Sequence, residues 1–167
     1  MGAVVVSTAT AVTRETAWLS VTTDGLPALP SPAGPWDLVQ AYWPGNRFAA
    51  NKRAVYVDAR ELDDLRASNQ RVRPQYQITL TLIWPVKGTG PDLAETEQQN
   101  LRDATELVVQ RIRGLPGDKT HGGRFLSVAE NPRTVRVTEA DPEVTIPRDD
   151  RLRSVITYRA DDFEISG

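Results

Sequence analysis

The segment QYQITLTLIWPV at residues 75–86 constrains the fold of this chain more than any other feature. Large apolar residues occupy every second position, and Gln or Thr fills most of the positions between them. The apolar residues are Tyr76, Ile78, Leu80, Leu82 and Trp84. A period of two is the repeat of a β-strand, whose successive side chains point to opposite faces. The segment therefore predicts a strand with an apolar core face and a polar face that is wet or covered by a neighbour.

A long amphipathic helix is predicted after this strand, over residues 92–113. Apolar residues here recur every three or four positions, which is the spacing of one helical face. They are Leu101, Ala104, Val108, Ile112 and Leu115. Asp92 and Glu95 match a capping box at the start, and Gly114 follows the end. At about 33 Å, such a helix is long enough to cover one face of a sheet.

The remaining elements show shorter patterns. β-Branched and aromatic residues predict strands at 37–43, 53–59, 124–130, 134–140, 143–146 and 151–160. Residues 7–23 predict an N-terminal helix, because Val12, Thr16 and Leu19 share one helical face. This order predicts an α+β fold: a mostly antiparallel β-sheet with one long amphipathic helix packed on a face, plus the N-terminal helix.

Two segments interrupt the predicted single domain, residues 1–167. Residues 26–36 contain four prolines and are predicted to form an extended connector. Residues 60–74 carry charges of both signs and are predicted to form a charged loop or arm. A long loop within a compact domain is usually functional, so this segment is a candidate interaction element.

Composition excludes several classes of function. The chain has no cysteine, which excludes disulfides, thiolate catalysis and cysteine-ligated metal sites. Its net charge of −2 gives no general attraction for nucleic acid, so we expect no sequence-specific nucleic-acid partner. Apolar runs fall short of the roughly 18 residues that a membrane helix needs, and the first residues are too polar for a signal peptide. We therefore expect a soluble protein with no membrane partner.

Few residues are candidates for catalysis or metal binding. His121 in DKTHGGRF is the only histidine. Beside two glycines it is predicted to be a solvated turn residue rather than a catalyst. Carboxylates cluster in DARELDD (58–64) and RADDFE (159–164), but the arginines among them favour salt bridges over a cation site. The segment KGTGPD (87–92) lacks a phosphate-binding motif. We predict no catalytic residue, no metal and no cofactor.

Trp43 and Trp84 each precede a proline at the end of an apolar strand. Packing at the rim of the core explains both, but tryptophan is also enriched at subunit contacts because it buries a large area and keeps one donor. Both are therefore candidate subunit or partner contacts. The Gln and Thr residues of 75–83 are expected to be exposed to a neighbouring subunit.

The order of the segments also suggests a family. A charged arm precedes RPQYQITLTLIWPV, the helix LAETEQQNLRDATELVVQRI follows, and RLRSVITYRADDFE comes last. Over about residues 70–160 this order resembles tail terminator proteins, also called tail completion or minor tail proteins, of long-tailed bacteriophages. Asp118, Thr120, Gly122 and Gly123 match a turn of that family, which commonly has Leu where this chain has His121. The Arg- and Asp-rich composition is similar to that of phages infecting high-GC actinobacteria.

The resemblance implies a structural protein of the virion that needs no catalytic residue. Such proteins, assembled in the host cytoplasm, form a ring, usually a hexamer, on the last ring of the tail tube. They end tube growth and present a surface to the head. The implied partners are further copies of the chain, the major tail tube protein, and a head–tail connector or stopper protein. We expect Arg66, Arg71 and Arg73, in the charged arm, to meet acidic groups on an adjacent ring.

Three alternatives stay open at this point. In the first alternative, the chain is another head–tail connector, a stopper or a tube protein. In the second, it is a small hydrolase that uses His121 or a carboxylate pair. In the third alternative it is a soluble binding module for which the proline-rich segment serves as a tether.

Overall fold

The computed structural model describes residues 8–22, 25–31, 34–42, 52–68, 71–85, 91–113, 120–122, 124–125, 127–129, 136–139, 151–162 and 165–166. Two α-helices lie within these ranges, α1 (Thr8–Leu19) and α2 (Pro91–Arg113). The strands are β1 (Leu38–Ala41), β2 (Ala54–Ser68), β3 (Arg71–Pro85), β4 (Ser127–Val128), β5 (Arg136–Glu139), β6 (Arg151–Asp161) and β7 (Ile165–Ser166). They form one sheet, so the predicted α+β class is confirmed. The segment 143–146, predicted to be a strand, lies outside the described residues.

β3 is the central strand, in agreement with its alternating pattern. It pairs antiparallel with β2 on one side and with β6 on the other, and Leu80 lies opposite Val57 and Ile156. The even-numbered residues of β3 from Tyr76 to Trp84 are buried in the main core. Burying one large apolar side chain stabilises a fold by about 1.5–3 kcal/mol, so this strand supplies a large part of the core.

The sheet is mixed, because β1 runs parallel to β2, with Leu38 opposite Ala54 and Ala41 opposite Val57. The other pairs are antiparallel: β4 and β5 lie against β6, and β7 lies against β3. The alternation of apolar residues predicts a strand but carries no information about its direction. The prediction of a mostly antiparallel sheet therefore did not include the parallel pairing of β1 with β2.

Both helices pack on the face of the sheet that carries Tyr76 to Trp84. α1 lies against β1, β2 and β3, and α2 lies against β6. The buried apolar residues of α2 are the predicted stripe, apart from Leu115, which lies outside the described residues; Thr105 is buried as well. Within the described ranges, neither helix is long and apolar enough to cross a membrane.

The proline-rich segment is partly built into the core rather than being a simple connector. Leu26–Ala28 form one turn of 3-10 helix with a proline near its start. Leu26 and Trp36 are buried in the main core, and the Gly34–Pro35 peptide bond is cis. Prolines remove backbone donors, but the apolar residues between them can still pack. The prediction of an extended connector did not take this packing into account.

The polar face of β3 is less exposed than its Gln and Thr residues suggest. Gln75 and Thr81 are buried, and Gln77 and Thr79 are half-buried. Gln77 also accepts hydrogen bonds from Arg60 of β2, at 2.7 and 3.1 Å. The prediction that this face is exposed to a neighbouring subunit is therefore wrong at Gln75 and Thr81.

Candidate functional site

The charged segment predicted as a loop or arm is a paired extension of the sheet. β2 and β3 continue side by side beyond β6, whose last paired residue, Asp161, lies opposite Gln75. We call residues 62–68 and 71–74 the arm. Among the described strands, β7 alone joins the arm, at Arg71 and Val72. The prediction of a loop was wrong because pairing between the strands outweighs the low strand preference of Asp and Glu.

The arm brings the three predicted contact arginines into one short region. The register pairs are Arg66 with Val72, Arg73 with Leu65 and Arg71 with Ser68. Two irregularities in register interrupt the pairing of β2 with β3 within the arm. Irregularities of this kind twist a strand and disfavour the addition of another strand at its edge. Trp43, also predicted as a contact, lies outside the described residues.

Trp84 does not lie on a contact surface, because its side chain is fully buried. Its indole Nε1 donates to Glu97 Oε2 at 2.5 Å. The guanidinium carbon of Arg53 lies 3.8 Å from the ring centroid, and Trp36 meets the ring edge-on at 5.3 Å. A residue without exposed surface adds no area to a subunit contact, so the prediction of Trp84 as a contact was wrong.

His121 is a turn residue, as predicted, but it is fully buried rather than solvated. Its φ of 50°, like the 69° of Gly122, is left-handed. That conformation costs a residue other than glycine about 1–2 kcal/mol. The buried hydrogen bonds of the imidazole offset this cost. The prediction of a solvated residue failed because the turn packs against α1, where the hydrogen-bonding partner Glu15 lies 106 positions earlier.

Glu15 of α1 and Tyr158 of β6 complete a buried polar cluster around His121. His121 Nδ1 lies 2.9 Å from each carboxylate oxygen of Glu15, and the Tyr158 hydroxyl donates to Oε1 at 2.8 Å. Burial raises the pKa of Tyr158 well above its ordinary value of 10.0, and the charge and hydrogen bond of Glu15 raise it further. Tyr158 is therefore a hydroxyl donor throughout the neutral range.

His121 also caps the end of α2. Its Nε2 lies 2.7 Å from the carbonyl oxygen of Ile112, one of the last carbonyls of the helix, which lack helical partners. Trp18 stacks on the imidazole at 3.5 Å between centroids, with planes 7° apart. The Arg111 guanidinium carbon lies 4.0 Å from the Trp18 ring. The cluster thus joins α1, α2, the turn and β6.

An ion pair borders this cluster. Arg14 of α1 donates to both carboxylate oxygens of Asp162, at 3.1 and 2.6 Å, and to the Arg124 carbonyl at 2.6 Å. Its guanidinium also lies 4.4 Å from the Phe125 ring. Asp162 is buried, so the pair fixes the end of β6 against α1.

The carboxylates of RADDFE are salt-bridged where they are described. Asp162 pairs with Arg14, and Asp161 lies 3.6 Å from Arg159. The expectation of salt bridges is confirmed for these two residues. In the described part of the chain, no three His, Asp or Glu side chains are grouped to hold a metal ion.

In this conformation the buried cluster holds elements together. Both ring nitrogens of His121 face protein acceptors, so the imidazole is not placed to take a proton from a substrate. Sequence reasoning missed Glu15 and Tyr158. A signal existed for Glu15, which shares the apolar face of α1 with Val12 and Leu19, where a carboxylate needs a buried partner.

No protein-family model and no curated protein matches this chain.

Proposed function

We propose that the chain is a bacteriophage tail terminator, which forms a ring at the head-proximal end of the tail tube and joins the tail to the head. The observation that carries this proposal is the arm. It collects Arg66, Arg71 and Arg73 on one extension of the sheet beyond β6. The order of the segments, which resembles that of tail terminators, supplies the class of protein.

The arm has properties that suit a contact between subunits or rings. A paired ribbon is already ordered, so binding through it loses less conformational entropy than binding through a loop. Its register irregularities disfavour uncontrolled strand addition. A closed ring needs one surface of each subunit to meet a different surface of the next. An extension at one end of the sheet offers one such surface.

The arm carries charges of both signs, and its three arginines, which lie beside Asp63 and Asp64, indicate the chemistry of the partner. Arginine forms two parallel hydrogen bonds with a carboxylate, which fixes orientation as well as adding attraction. We expect the opposing surface, on the tube protein or on the head connector, to be rich in Asp and Glu. Charged contacts at a rim mainly increase the rate and selectivity of association.

Specific observations weigh against two of the alternatives. His121 is enclosed with both nitrogens engaged, and Asp161 and Asp162 lie against arginines, which disfavours a hydrolase built on these groups. Leu26 and Trp36 anchor the proline-rich segment in the core, which disfavours a tether. A different connector, a stopper or a tube protein is the second candidate, since the arm suits those ring proteins as well.

Charge reversal tests the role of the arm. Arg66, Arg71 and Arg73 are each changed to Glu, singly and together, in the phage that encodes the chain. Lys52→Glu and Arg102→Glu are the matched controls, because both residues are exposed and lie outside the arm. We expect the triple variant to abolish the joining of tails to heads, counted by electron microscopy, while the circular dichroism of the isolated protein is unchanged. Full infectivity of the triple variant refutes the role of the arm.

The position of the protein in the virion tests the class. A peptide tag on the protein, labelled with gold, is expected to mark one point per particle, at the head–tail junction. Labels along the whole tube indicate a tube protein instead. Virions that lack the tag altogether refute a structural role.

A further inference from the structure

We propose that Glu15 and His121 form a buried proton-binding site that fastens α1 to the rest of the fold. The site belongs to the fold and does not depend on the proposed assembly. It follows from the acceptors around the imidazole: Nε2 faces the Ile112 carbonyl at 2.7 Å, and Nδ1 faces the Glu15 carboxylate at 2.9 Å. Histidine nitrogens approach oxygen acceptors this closely only with a proton between them.

The arrangement therefore holds two protons, one on Nε2 and one between Nδ1 and the carboxylate. This count is the same whether the second proton resides on the ring or on Glu15. If the imidazole were neutral and Glu15 ionised, the one ring proton would serve Nε2. The lone pair of Nδ1 would then face a lone pair of the Glu15 carboxylate at hydrogen-bond distance. Fully buried, neither group can turn to water instead.

The surrounding charged groups do not exchange protons near neutral pH. Tyr158 of β6 donates its hydroxyl proton to Glu15. Arg111 of α2 lies on Trp18, and Arg124 of the turn donates to the His121 carbonyl at 3.2 Å. Arg14 of α1 is paired with Asp162. Arginine keeps its charge at all pH values at which proteins fold, so the shared proton is the variable one.

Proton counts give the direction of the pH effect. In the unfolded chain a free Glu and a free His together bind two protons between about pH 4.3 and 6.5, and one proton above about pH 6.5. Stability falls with rising pH wherever the folded state binds more protons. The contribution of this site is therefore complete between about pH 4.3 and 6.5, and it declines as pH rises above that range. Above about pH 6.5 the folded state binds one proton more than the unfolded chain at this site. This difference raises the equilibrium constant of unfolding about tenfold per pH unit.

Loss of the proton acts first on α1. A helix of 12 residues is marginal on its own, so α1 depends on its contacts with the sheet and the turn. Repulsion between bare Nδ1 and the Glu15 carboxylate is relieved when α1 or the turn moves away. Alkaline pH is thus expected to release α1 before the sheet unfolds.

Glu15→Gln is the decisive variant because it keeps every hydrogen bond without the extra proton. Its amide oxygen accepts from Tyr158, its NH₂ donates to Nδ1, and Nε2 still donates to Ile112. Glu97→Gln is the matched control, since Glu97 also accepts one hydrogen bond but has no histidine partner. Urea unfolding of the wild type and both variants is followed by circular dichroism at pH 5, 6, 7 and 8.

We expect the ratio of the wild-type to the Glu15→Gln unfolding constant to rise about tenfold per pH unit, because one proton separates them. The ratio for Glu97→Gln stays constant. A constant ratio for Glu15→Gln overturns the proposal. A second measurement needs no variant: His121 is the only histidine, so its ring signals require no assignment. At pH 7.5 we expect two low-field protons, one for each hydrogen bond of the ring, and a single one overturns the proposal.

Discussion

Trp84 provides the sharpest test of how the fold is held together. Trp84→Ala removes a fully buried indole that contacts Arg53, Trp36 and Glu97. A buried tryptophan covers about 150–250 Å², which corresponds to about 4–6 kcal/mol as an upper bound. Measured Trp→Ala costs in cores are about 3–5 kcal/mol. We therefore expect the free energy of unfolding to fall by about 4 kcal/mol and the midpoint to fall by about 8–16 °C.

The assay is urea and thermal unfolding followed by circular dichroism. Tyr42→Ala is the control, because Tyr42 is also aromatic but 49% exposed, and its cost should stay within about 0.5 kcal/mol. Trp84→Phe keeps a ring but loses the donor to Glu97, so an intermediate cost of about 1–2 kcal/mol is expected. If Trp84→Ala costs less than about 1 kcal/mol and instead changes self-association, then Trp84 is a contact residue and the burial argument fails.

Two further predictions concern the groups around His121. Because burial raises the pKa of Tyr158 above 10.0, the stability linked to this phenol is complete below about pH 10 and is lost as pH rises towards the raised value. In an alkaline titration followed by absorbance at 295 nm, we expect Tyr158 of the wild type to ionise only when the protein unfolds. Tyr158→Phe should therefore show one tyrosine fewer in the absorbance change that accompanies unfolding, and an equal change in both proteins refutes this. Asp162→Asn should lower the free energy of unfolding by about 1–2 kcal/mol, because it removes the buried carboxylate that pairs with Arg14. The cost stays moderate because Arg14, 25% exposed, still reaches water. The loss should be nearly the same in 1 M NaCl, and a strong salt dependence indicates an exposed pair.

Periodicity accounts for the elements that the sequence predicted well. β3 and α2 have strong repeats because each presents one apolar face to the same core, and the apolar residues that they bury in this core match the predicted sets where they are described. The segment was predicted to be a charged loop or arm, but its strand state was missed, because that state comes from pairing between β2 and β3 in a register that no local pattern contains. The direction of β1 was missed for the same reason.

The buried cluster shows where sequence reasoning stops. Glu15 and Tyr158 are separated by 143 positions, so their contact depends on the packing of α1 against the sheet. His121 has the surroundings of an exposed turn in the sequence, and only the position of that turn over α1 buries it. A carboxylate on an apolar helical face is the one local sign that such a partner exists.

The pairing of β3 with β6 also shapes how a newly made chain reaches this structure. Leu80 pairs with Ile156, so the second edge of the central strand has no β6 partner until β6 has left the ribosome. During that interval, β2 and β3 can form a hairpin, but an unpaired apolar strand edge is a template for association with other chains. The arrival of β6 also delivers Tyr158 to Glu15. Completion of the sheet and closure of the buried cluster are therefore a single late event in synthesis, and chaperone binding is expected to be greatest just before it.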